Sequence, residues 1–310
     1  MTTLYYYHDD FLQHDTGPGH PECAARLTHI NAELAGADFA SLVKVTPTLK
    51  ENIRDHIQRL HSPALIEKIF AMIPEQGHAY LDQDTVLSPG SGRAALLAAS
   101  SVCDAVDRVL TGQADNAFCA VRPPGHHAEA ERAMGFCLFN NIAIAATYAR
   151  RQYDLQRVAI VDFDVHHGNG TQQAFYQQAE VLYASTHQMP HYPGSGHPSE
   201  TGVGNIVNVP LAAGDGGPQF RQKYRDIILP ALKLFKPQLM LLSAGFDAHK
   251  DDPLASIMLE ADDYAWLTRQ LVEIAERECS GHIVSILEGG YNLAALQESV
   301  GAHIKALMNS

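Results

Sequence analysis

The chain has 310 residues, of which 46% are hydrophobic and 18% are charged, and its formal net charge is −13. A composition this apolar supports a large folded core and excludes an intrinsically disordered chain. The acidic balance argues against a primary role in nucleic-acid binding and suits cationic substrates, although an acidic shell that only keeps the protein in solution gives the same charge.

Cysteine usage and the N-terminal sequence predict the compartment. The cysteines are odd in number, widely spaced and without a CxxC pair, which favours a reducing environment; they are Cys23, Cys103, Cys119, Cys137 and Cys279. Residues 1–9 lack the basic region and cleavage motif of a signal peptide, and no apolar run reaches about 18 residues. We therefore expect a cytoplasmic protein without a membrane span.

Short apolar runs alternate with longer segments of helical periodicity. In chain order the predicted strands are Leu4–Tyr7, Ala117–Val121, Val158–Phe163, Val181–Ser185, Ile206–Val209, Leu239–Ser243 and Ile283–Leu287. The predicted helices are Ser91–Leu110, Asn141–Arg151, Gln219–Phe235, Asp263–Glu278 and Leu293–Met308. Most strands are continuously apolar, as in parallel strands covered on both faces. The pattern predicts a doubly wound α/β sheet in one domain over residues 1–310.

A pair of histidines follows the second predicted strand, in the segment Arg122–His127 (RPPGHH). Two adjacent imidazoles in a turn bounded by glycine and proline cannot both pack in a core, and the prolines stiffen the approach to them. Imidazole is the side chain that gives or takes a proton near neutral pH. We therefore predict proton transfer by His126 and His127.

The third predicted strand runs into a possible metal site. Asp164 and His166 are two residues apart on an extended segment, so both side chains can reach one ion. The candidate third ligand is Asp247, which follows another predicted strand. Two carboxylates and one imidazole leave room for water and a substrate oxygen, as in catalytic zinc sites, and they also accept Fe²⁺ or Co²⁺. Taken alone, the D-x-H pair is a weak signal and fits a strand-end carboxylate that caps a helix better than a metal site; the Gly168-Asn169-Gly170 turn and the upstream histidine pair favour the metal site.

Two more residues at strand ends belong to the predicted site. Asp162 faces the same crevice, and carboxylates in such positions orient metal ligands and histidines. The last predicted strand is followed by Glu288–Asn292 (EGGYN), whose glycines allow close backbone approach and whose Tyr291 hydroxyl can donate to an oxyanion. On its own, this motif also fits a turn before a helix. Because ligands bind at the carboxyl ends of parallel strands, we expect these motifs to meet there.

These motifs resemble those of the zinc-dependent histone deacetylases and acetylpolyamine amidohydrolases, closest to the class II deacetylases. The matching segments are Arg122–Glu129 (RPPGHHAE), Met134–Asn141 (MGFCLFNN), Val161–Gly170 (VDFDVHHGNG), Pro193–Gly196 (PGSG), Ala244–Ala248, Asp252–Leu254 and Glu288–Asn292. The resemblance covers nearly the whole chain. It implies an arginase-like α/β fold with a central, mostly parallel sheet of about eight strands flanked by helices.

The resemblance also implies a metal centre and its chemistry. Zn²⁺ would be held by Asp164, His166 and Asp247, and metal-bound water would attack an acyl-amide carbonyl. Tyr291 would stabilise the resulting oxyanion.

The two histidines would have different roles according to the resemblance. His127 would be the general base and then the acid, paired with Asn169 where some relatives have Asp. His126 would be its electrostatic partner, held by Asp162. A neutral amide holds the ring without favouring the imidazolium, so His127 should remain a competent base near neutral pH.

Substrate contacts are implied at the mouth of the site. Phe136 matches one aromatic wall of the family's acyl-lysine tunnel, and the Gly135 carbonyl would accept the substrate amide N–H. Tyr192 stands where Phe is more usual, which makes the outer tunnel more polar. Either Asp82 or Asp84 would be the rim aspartate that binds substrate backbone.

Two further sites are implied by the resemblance. A monovalent cation, usually K⁺, is expected near Asp162 and Ser185, with backbone carbonyls of Asp164 and His166. Arg26 corresponds to the arginine of an inner channel for acetate release.

Leu254 indicates which class of substrate the protein binds. Relatives that hydrolyse acetylpolyamines tend to carry Glu at this rim position, where it meets a substrate ammonium, and leucine offers no charge. The resemblance therefore favours acyl-lysine in a peptide or protein. An acetylpolyamine, another small acylated amine or a longer acyl chain is the alternative, and the oligomeric state is left open.

Two other function classes fit less well. A dinuclear ureohydrolase would need more carboxylates, but His166 is followed by His167-Gly168 and Asp247 by Ala248-His249. A catalytically inactive module that only binds acyl-lysine would be expected to lack the oxyanion donor, which Tyr291 provides here.

Overall fold

The computed structural model describes residues 2–309 as a parallel sheet with connecting helices. The strands are β1 Thr3–Tyr6, β2 Val43–Val45, β3 Ala79–Tyr80, β4 Val86–Leu87, β5 Asn116–Cys119, β6 Val158–Asp162, β7 Val181–Gln188, β8 Ile206–Leu211, β9 Leu239–Ala244 and β10 Ile283–Leu287. The α-helices are α1 Ala25–Glu33, α2 Ile53–Gln58, α3 Pro63–Met72, α4 Ser91–Leu110, α5 Asn141–Tyr153, α6 Asn169–Phe175, α7 Gly217–Lys223, α8 Leu229–Phe235, α9 Ala261–Cys279 and α10 Leu293–Met308.

The main sheet has 8 strands in the order β2-β1-β5-β10-β9-β6-β7-β8. All of its strand pairs are parallel. Every residue of β1, β5, β6, β7, β9 and β10 is buried, because helices cover the sheet, and this explains the apolar runs within their sequences. The predicted fold class is confirmed.

Three short strands have no counterpart in the sequence prediction. The edge strand β2 (VKV) is largely exposed, so it has no apolar run that would reveal it. The antiparallel pair β3–β4 has only two residues in each strand. Strands this short bury too little side-chain surface to leave a periodic pattern.

The predicted helix Gln219–Phe235 is interrupted in the structure. A π-helical turn over Tyr224–Ile228 separates α7 from α8, and the Leu229 N–H bonds to the Tyr224 carbonyl. Because Pro230 has no N–H to donate to the preceding helical turn, the chain forms the wider π-helical turn just before it.

The order of the strands brings the predicted site motifs to one edge of the sheet. The motifs follow β5, β10, β9 and β6, which are consecutive neighbours in the sheet. Because these strands are parallel, their carboxyl ends lie along one edge, and segments more than 100 residues apart in sequence meet there. Within residues 2–309, no helix is long and apolar enough to cross a membrane.

Candidate active site

Asp164, His166 and Asp247 form a buried group beyond the ends of β6 and β9. One ligand atom of each lies within 4.8 Å of the others. His166 Nδ1 is 3.0 Å from Asp164 Oδ1 and 3.1 Å from Asp247 Oδ2. The remaining carboxylate oxygens accept backbone N–H groups, Asp164 Oδ2 from Gly289 at 2.8 Å and Asp247 Oδ1 from Val165 at 2.8 Å. Each carboxylate is thereby fixed with one oxygen turned towards the imidazole.

The electrostatics of this group suit a cation. Burial and the neighbouring Asp164 raise the pKa of Asp247 to about 7. Burial alone would lower the pKa of His166, but Asp164 and Asp247 raise it to about 10. Both pKa values are raised because two carboxylates are buried together with little positive charge nearby to balance them. A divalent ion would supply that charge, and this donor set fits Zn²⁺, Fe²⁺ or Co²⁺.

Two glycines allow the carboxylates to come this close to the backbone. A Cβ on Gly289 would overlap Asp247 Oδ2, and a Cβ on Gly245 would overlap Asp164 Oδ2. The requirement for glycine in the segments after β9 and β10 is therefore steric.

His126 lies against a carboxylate. Its Nδ1 is 3.0 Å from Asp162 Oδ2, which also accepts the Tyr183 hydroxyl at 3.0 Å. Burial alone would lower the pKa of His126, but Asp162, Asp164 and Glu288 raise it to about 10. The surroundings of His126 therefore favour its protonated form.

His127 lies against an amide and has the opposite protonation tendency. Its Nδ1 is 2.8 Å from Asn169 Oδ1, and its ring centroid is 4.0 Å from that of His126. Burial, together with the imidazoles of His126 and His166, holds its pKa well below the usual range. Because an amide oxygen only accepts hydrogen bonds, Nδ1 carries the proton and Nε2 has a free lone pair.

Tyr291 lies across from these histidines in the loop after β10. Its ring packs edge-on against Phe136, with centroids 5.7 Å apart, and the Arg26 guanidinium lies 5.2 Å from its ring centroid. Burial and the carboxylates of Asp247 and Asp164 raise its pKa well above the usual value. The hydroxyl is therefore protonated at neutral pH and can donate a hydrogen bond.

A cavity of about 200 Å³ opens in front of these groups. Its lining residues are Asp84, His127, Gly135, Phe136, His166, His191, Tyr192, Leu254 and Tyr291. The four predicted substrate contacts Gly135, Phe136, Tyr192 and Leu254 are all among them. Tyr192 also packs edge-on against His127, with centroids 5.1 Å apart.

The cavity wall around Gly135 has an unusual backbone. Gly135 has φ +57° and Phe136 has φ +68°, both in the left-handed region that non-glycine residues seldom adopt. A Cβ at Gly135 would lie 2.5 Å from His127 Cδ2. This segment therefore packs directly against the ring of His127.

The two candidate rim aspartates have different positions. Asp84 lines the cavity. Asp82 Oδ1 instead accepts the backbone N–H groups of Asp84 and Thr85, at 3.2 and 2.8 Å. Asp82 therefore stabilises the turn, and Asp84 is the one available at the mouth.

The structure places Ser185 and Arg26 away from the cavity lining. Ser185 is directly opposite Asp162 in the register of β6 and β7, and the cation site there stays a prediction. Arg26 donates from Nε to the Gly290 carbonyl at 2.7 Å and from Nη2 to the Glu288 carbonyl at 2.5 Å. Arg26 thus supports the loop that carries Tyr291, and its role in a product channel stays a prediction.

Two buried acids that hold the site were not predicted. Glu288 Oε2 accepts the N–H groups of Gly125 and His126, at 2.7 and 3.2 Å. Asp252 Oδ2 accepts the N–H of Tyr291 at 2.7 Å. Both acids lie inside the motifs quoted above, and Glu288 directly follows β10, a position from which it could have been identified.

Comparison with known proteins identifies the family. Residues 20–307 match the histone deacetylase domain. An uncharacterized protein of Synechocystis sp. is 43% identical over 306 residues, which cover 97% of this chain and 98% of the relative. A histone deacetylase-like amidohydrolase of Pseudomonas aeruginosa is 38% identical over 292 residues, which cover 92% of this chain and 76% of the relative.

A solved structure gives the same result. The crystal structure of the HDA15 HD domain matches with a TM-score of 0.94 and 35% identity, covering 100% of this chain and 88% of that one. The resemblance inferred from the motifs is confirmed over the fold as well as over the sequence. The protein belongs to the histone deacetylase family of hydrolases.

Proposed function

We propose that the protein is a metal-dependent amidohydrolase that removes acetyl or other acyl groups from the side-chain amine of acyl-lysine in peptides or proteins. The observation that supports this best is the 200 Å³ cavity, because His127, His166 and Tyr291 all line it. Asp164, His166 and Asp247 would hold the ion, with Zn²⁺ as the first candidate. A bound ion of this kind polarises an amide carbonyl and acidifies the attacking water.

His127 is proposed to carry the proton between the two halves of the reaction. With Nδ1–H held by Asn169, its Nε2 takes a proton from the attacking water. The positive charge of His126, 4.0 Å away between ring centroids, makes the protonated form of His127 acidic. The same proton then passes readily from Nε2 to the nitrogen of the leaving amine.

Tyr291 is proposed to stabilise the developing negative charge. Its hydroxyl remains protonated, so it can donate to the carbonyl oxygen as that oxygen becomes an oxyanion. Phe136 and Tyr192 would pack along the aliphatic stem of the acylated side chain, and the Gly135 carbonyl would accept the substrate amide N–H.

The substrate is proposed from the cavity mouth. Leu254 lines the cavity and has no charge to pair with a second ammonium, which favours acyl-lysine. Asp84 also lies there, and its carboxylate suits the ammonium of an acetylpolyamine or another small acylated amine, which is the second candidate. K⁺ near Asp162 and Ser185 is a further proposed component, with a structural role.

The test compares the zinc-loaded protein on an acetyl-lysine peptide and on N-acetylated putrescine or spermidine. A higher kcat/KM on the peptide is the expected result, and a higher value on the polyamine would establish the second candidate. Leu254→Glu should shift the preference towards the polyamine, whereas Leu254→Met, which adds no charge, should not. No turnover of either acetylated substrate by the metal-bound protein would exclude deacetylation and direct the test to longer acyl chains and other small acylated amines.

A further inference from the structure

Glu129 is the outer end of a hydrogen-bonded row that begins at the cavity. His127 Nδ1 lies 2.8 Å from Asn169 Oδ1, and Asn169 Nδ2 donates to Glu129 Oε1 at 2.7 Å. His127 and Asn169 are buried, whereas Glu129 is half-buried and lines a surface groove of about 890 Å³. Glu129 does not line the 200 Å³ cavity, so it does not contact a group bound there, and its side-chain contact in this row is with Asn169.

The chemistry of the three side chains fixes their orientation. An ionised carboxylate only accepts hydrogen bonds, so the NH₂ group of Asn169 must face Glu129. The amide oxygen of Asn169 must then face His127, and this oxygen also only accepts. His127 therefore carries its proton on Nδ1 and leaves Nε2 free on the cavity side.

Nothing else near Asn169 fixes its amide as strongly. Its Nδ2 has two further contacts, both long: the His127 carbonyl at 3.4 Å and Met134 Sδ at 3.4 Å. Without a carboxylate at position 129, the amide can turn over and present NH₂ to His127. That orientation would favour the His127 tautomer with the proton on Nε2, which cannot act as a base in the cavity.

The loop that carries Glu129 is held in place independently of this side chain. The Glu129 N–H donates to the Arg132 carbonyl at 2.8 Å, and its own carbonyl is 2.9 Å from His61 Nδ1. His61 Nε2 in turn accepts the Asn140 N–H at 2.9 Å. A side-chain substitution at position 129 therefore leaves the backbone contacts of the loop intact.

We propose that Glu129 is a positioning residue that sets the orientation of the Asn169 amide and, through it, the tautomer of His127. This inference rests on the proposed function, in which His127 Nε2 takes the proton from water. It also gives a reason why position 169 holds Asn where some relatives have Asp, since the carboxylate is here supplied by Glu129, one side chain further from His127.

The first test replaces the carboxylate by an amide of the same size. Glu129→Gln no longer specifies which end of the Asn169 amide faces outward, so kcat should fall by about 10-fold while KM stays within about 2-fold. The matched control is Glu131→Gln, an exposed acid on the same loop, which should behave like the wild type. An unchanged kcat in Glu129→Gln would overturn the proposal.

Exchanging the carboxylate at position 129 with the amide at position 169 gives a sharper test. Asn169→Asp alone places two carboxylates against each other at a site where the partner atoms are 2.7 Å apart, so activity should fall. In Glu129→Gln/Asn169→Asp the introduced amide NH₂ can donate to the introduced carboxylate, which still accepts from His127 Nδ1. The double variant should be at least about 5-fold more active than Asn169→Asp, and additive losses would overturn the proposal.

The tautomer can be measured without turnover. The ¹⁵N chemical shifts of His127 in the zinc-loaded protein should report Nδ1–H in the wild type and in Glu131→Gln, and a mixture of tautomers in Glu129→Gln. An unchanged tautomer together with a lower melting temperature would assign Glu129 a purely structural role and overturn the proposal. If the wild type hydrolyses no acyl amide, the proposed function fails, and the tautomer measurement still decides the role of Glu129.

Discussion

His126 and His127 show how the surroundings of a side chain determine its pKa. The two side chains are adjacent in sequence and their ring centroids are 4.0 Å apart. Both are buried, which corrects the expectation that two adjacent imidazoles cannot both pack inside the protein; each has a hydrogen-bonding partner there. Burial lowers the pKa of both imidazoles, but the Asp162 carboxylate raises that of His126, whereas the imidazoles of His126 and His166 lower that of His127 further. Opposite protonation tendencies in adjacent imidazoles suit the acid–base role proposed for His127.

Tyr291→Phe tests the oxyanion donor. The variant keeps the ring that packs against Phe136 and loses only the hydroxyl, so the fold and the metal content should be retained. We expect kcat to fall by about 10²-fold or more, the usual effect of removing one such donor. Steady-state kinetics and metal analysis check this, and near-normal turnover would remove Tyr291 from the mechanism.

Asp247→Ala tests the metal site. The variant removes the carboxylate that lies 3.1 Å from His166 Nδ1, so zinc should be lost before the fold is. Zinc content after dialysis is the measurement, and Asp226→Ala, at an exposed position, is the control that should keep its metal. Stoichiometric zinc in Asp247→Ala would contradict the assignment of the third ligand.

At the level of elements, the loops after neighbouring strands support one another. Asp252, in the loop after β9, accepts the N–H groups of Tyr291 and Asn292 after β10, at 2.7 and 3.3 Å. Its second oxygen accepts the N–H of Leu254 at 3.0 Å. One buried carboxylate thus links the proposed oxyanion donor to a residue of the cavity wall.

Asp252→Ala should therefore lower kcat, since it frees the loop that carries Tyr291. Loss of hydrogen bonds to a charged acceptor costs about 1.5–3 kcal/mol each, so a decrease of 10-fold or more is expected together with a lower melting temperature. Asp252→Asn keeps one acceptor oxygen and should lose less. The exposed neighbour Asp251→Ala serves as the control, and equal losses in both alanine variants would contradict this role.

At the level of the whole molecule, buried polar residues join distant parts of the fold. Glu22, Arg26 and Arg122 are fully buried, and Glu22 pairs with Arg26 at 3.2 Å and with Arg122 at 2.5 Å. Burial alone would raise the pKa of Glu22, but the two guanidinium groups lower it to about 2. These contacts tie the N-terminal segment to the strand-end loops of β5 and β10.

His303 makes a similar connection and gives the stability a pH dependence. It lies on α10 between Thr268 Oγ1, at 2.6 Å, and Ser285 Oγ, at 2.9 Å. Burial lowers its pKa to about 3 from the ordinary value of 6.5. The unfolded chain therefore binds a proton at this residue between pH 6.5 and about 3 while the folded protein does not, so its contribution to stability is lost as the pH falls through that window.

His303→Gln isolates this effect. The variant should be less stable than the wild type at pH 8, because it loses a hydrogen bond between helix and sheet. Below pH 6.5 the difference in unfolding free energy should shrink by up to about 1.4 kcal/mol per pH unit, since only the wild type carries the titrating group. Denaturant unfolding at several pH values measures the difference in unfolding free energy between the wild type and the variant. If this difference does not change with pH, His303 does not contribute to the pH dependence of stability.

Much of the fold and of the site chemistry follows from local sequence. Continuous apolar runs predicted buried parallel strands, because a strand covered on both faces has no polar side to alternate with. Adjacent histidines, the D-x-H pair and EGGYN specified groups for proton transfer, metal binding and hydrogen-bond donation, since those capacities belong to the side chains themselves. The fold class, the family and the types of groups in the site could thus be predicted without the structure.

The individual contacts between these groups depend on the tertiary fold. The order β5-β10-β9-β6 brings Asp164, Asp247 and Tyr291 together, and no local pattern encodes strand order. The same holds for the choice of Asp84 over Asp82 at the cavity mouth and for the contact between Glu129 and Asn169. Periodicity in a sequence records how each segment is buried, whereas the partners of a side chain depend on packing between segments that are distant along the chain.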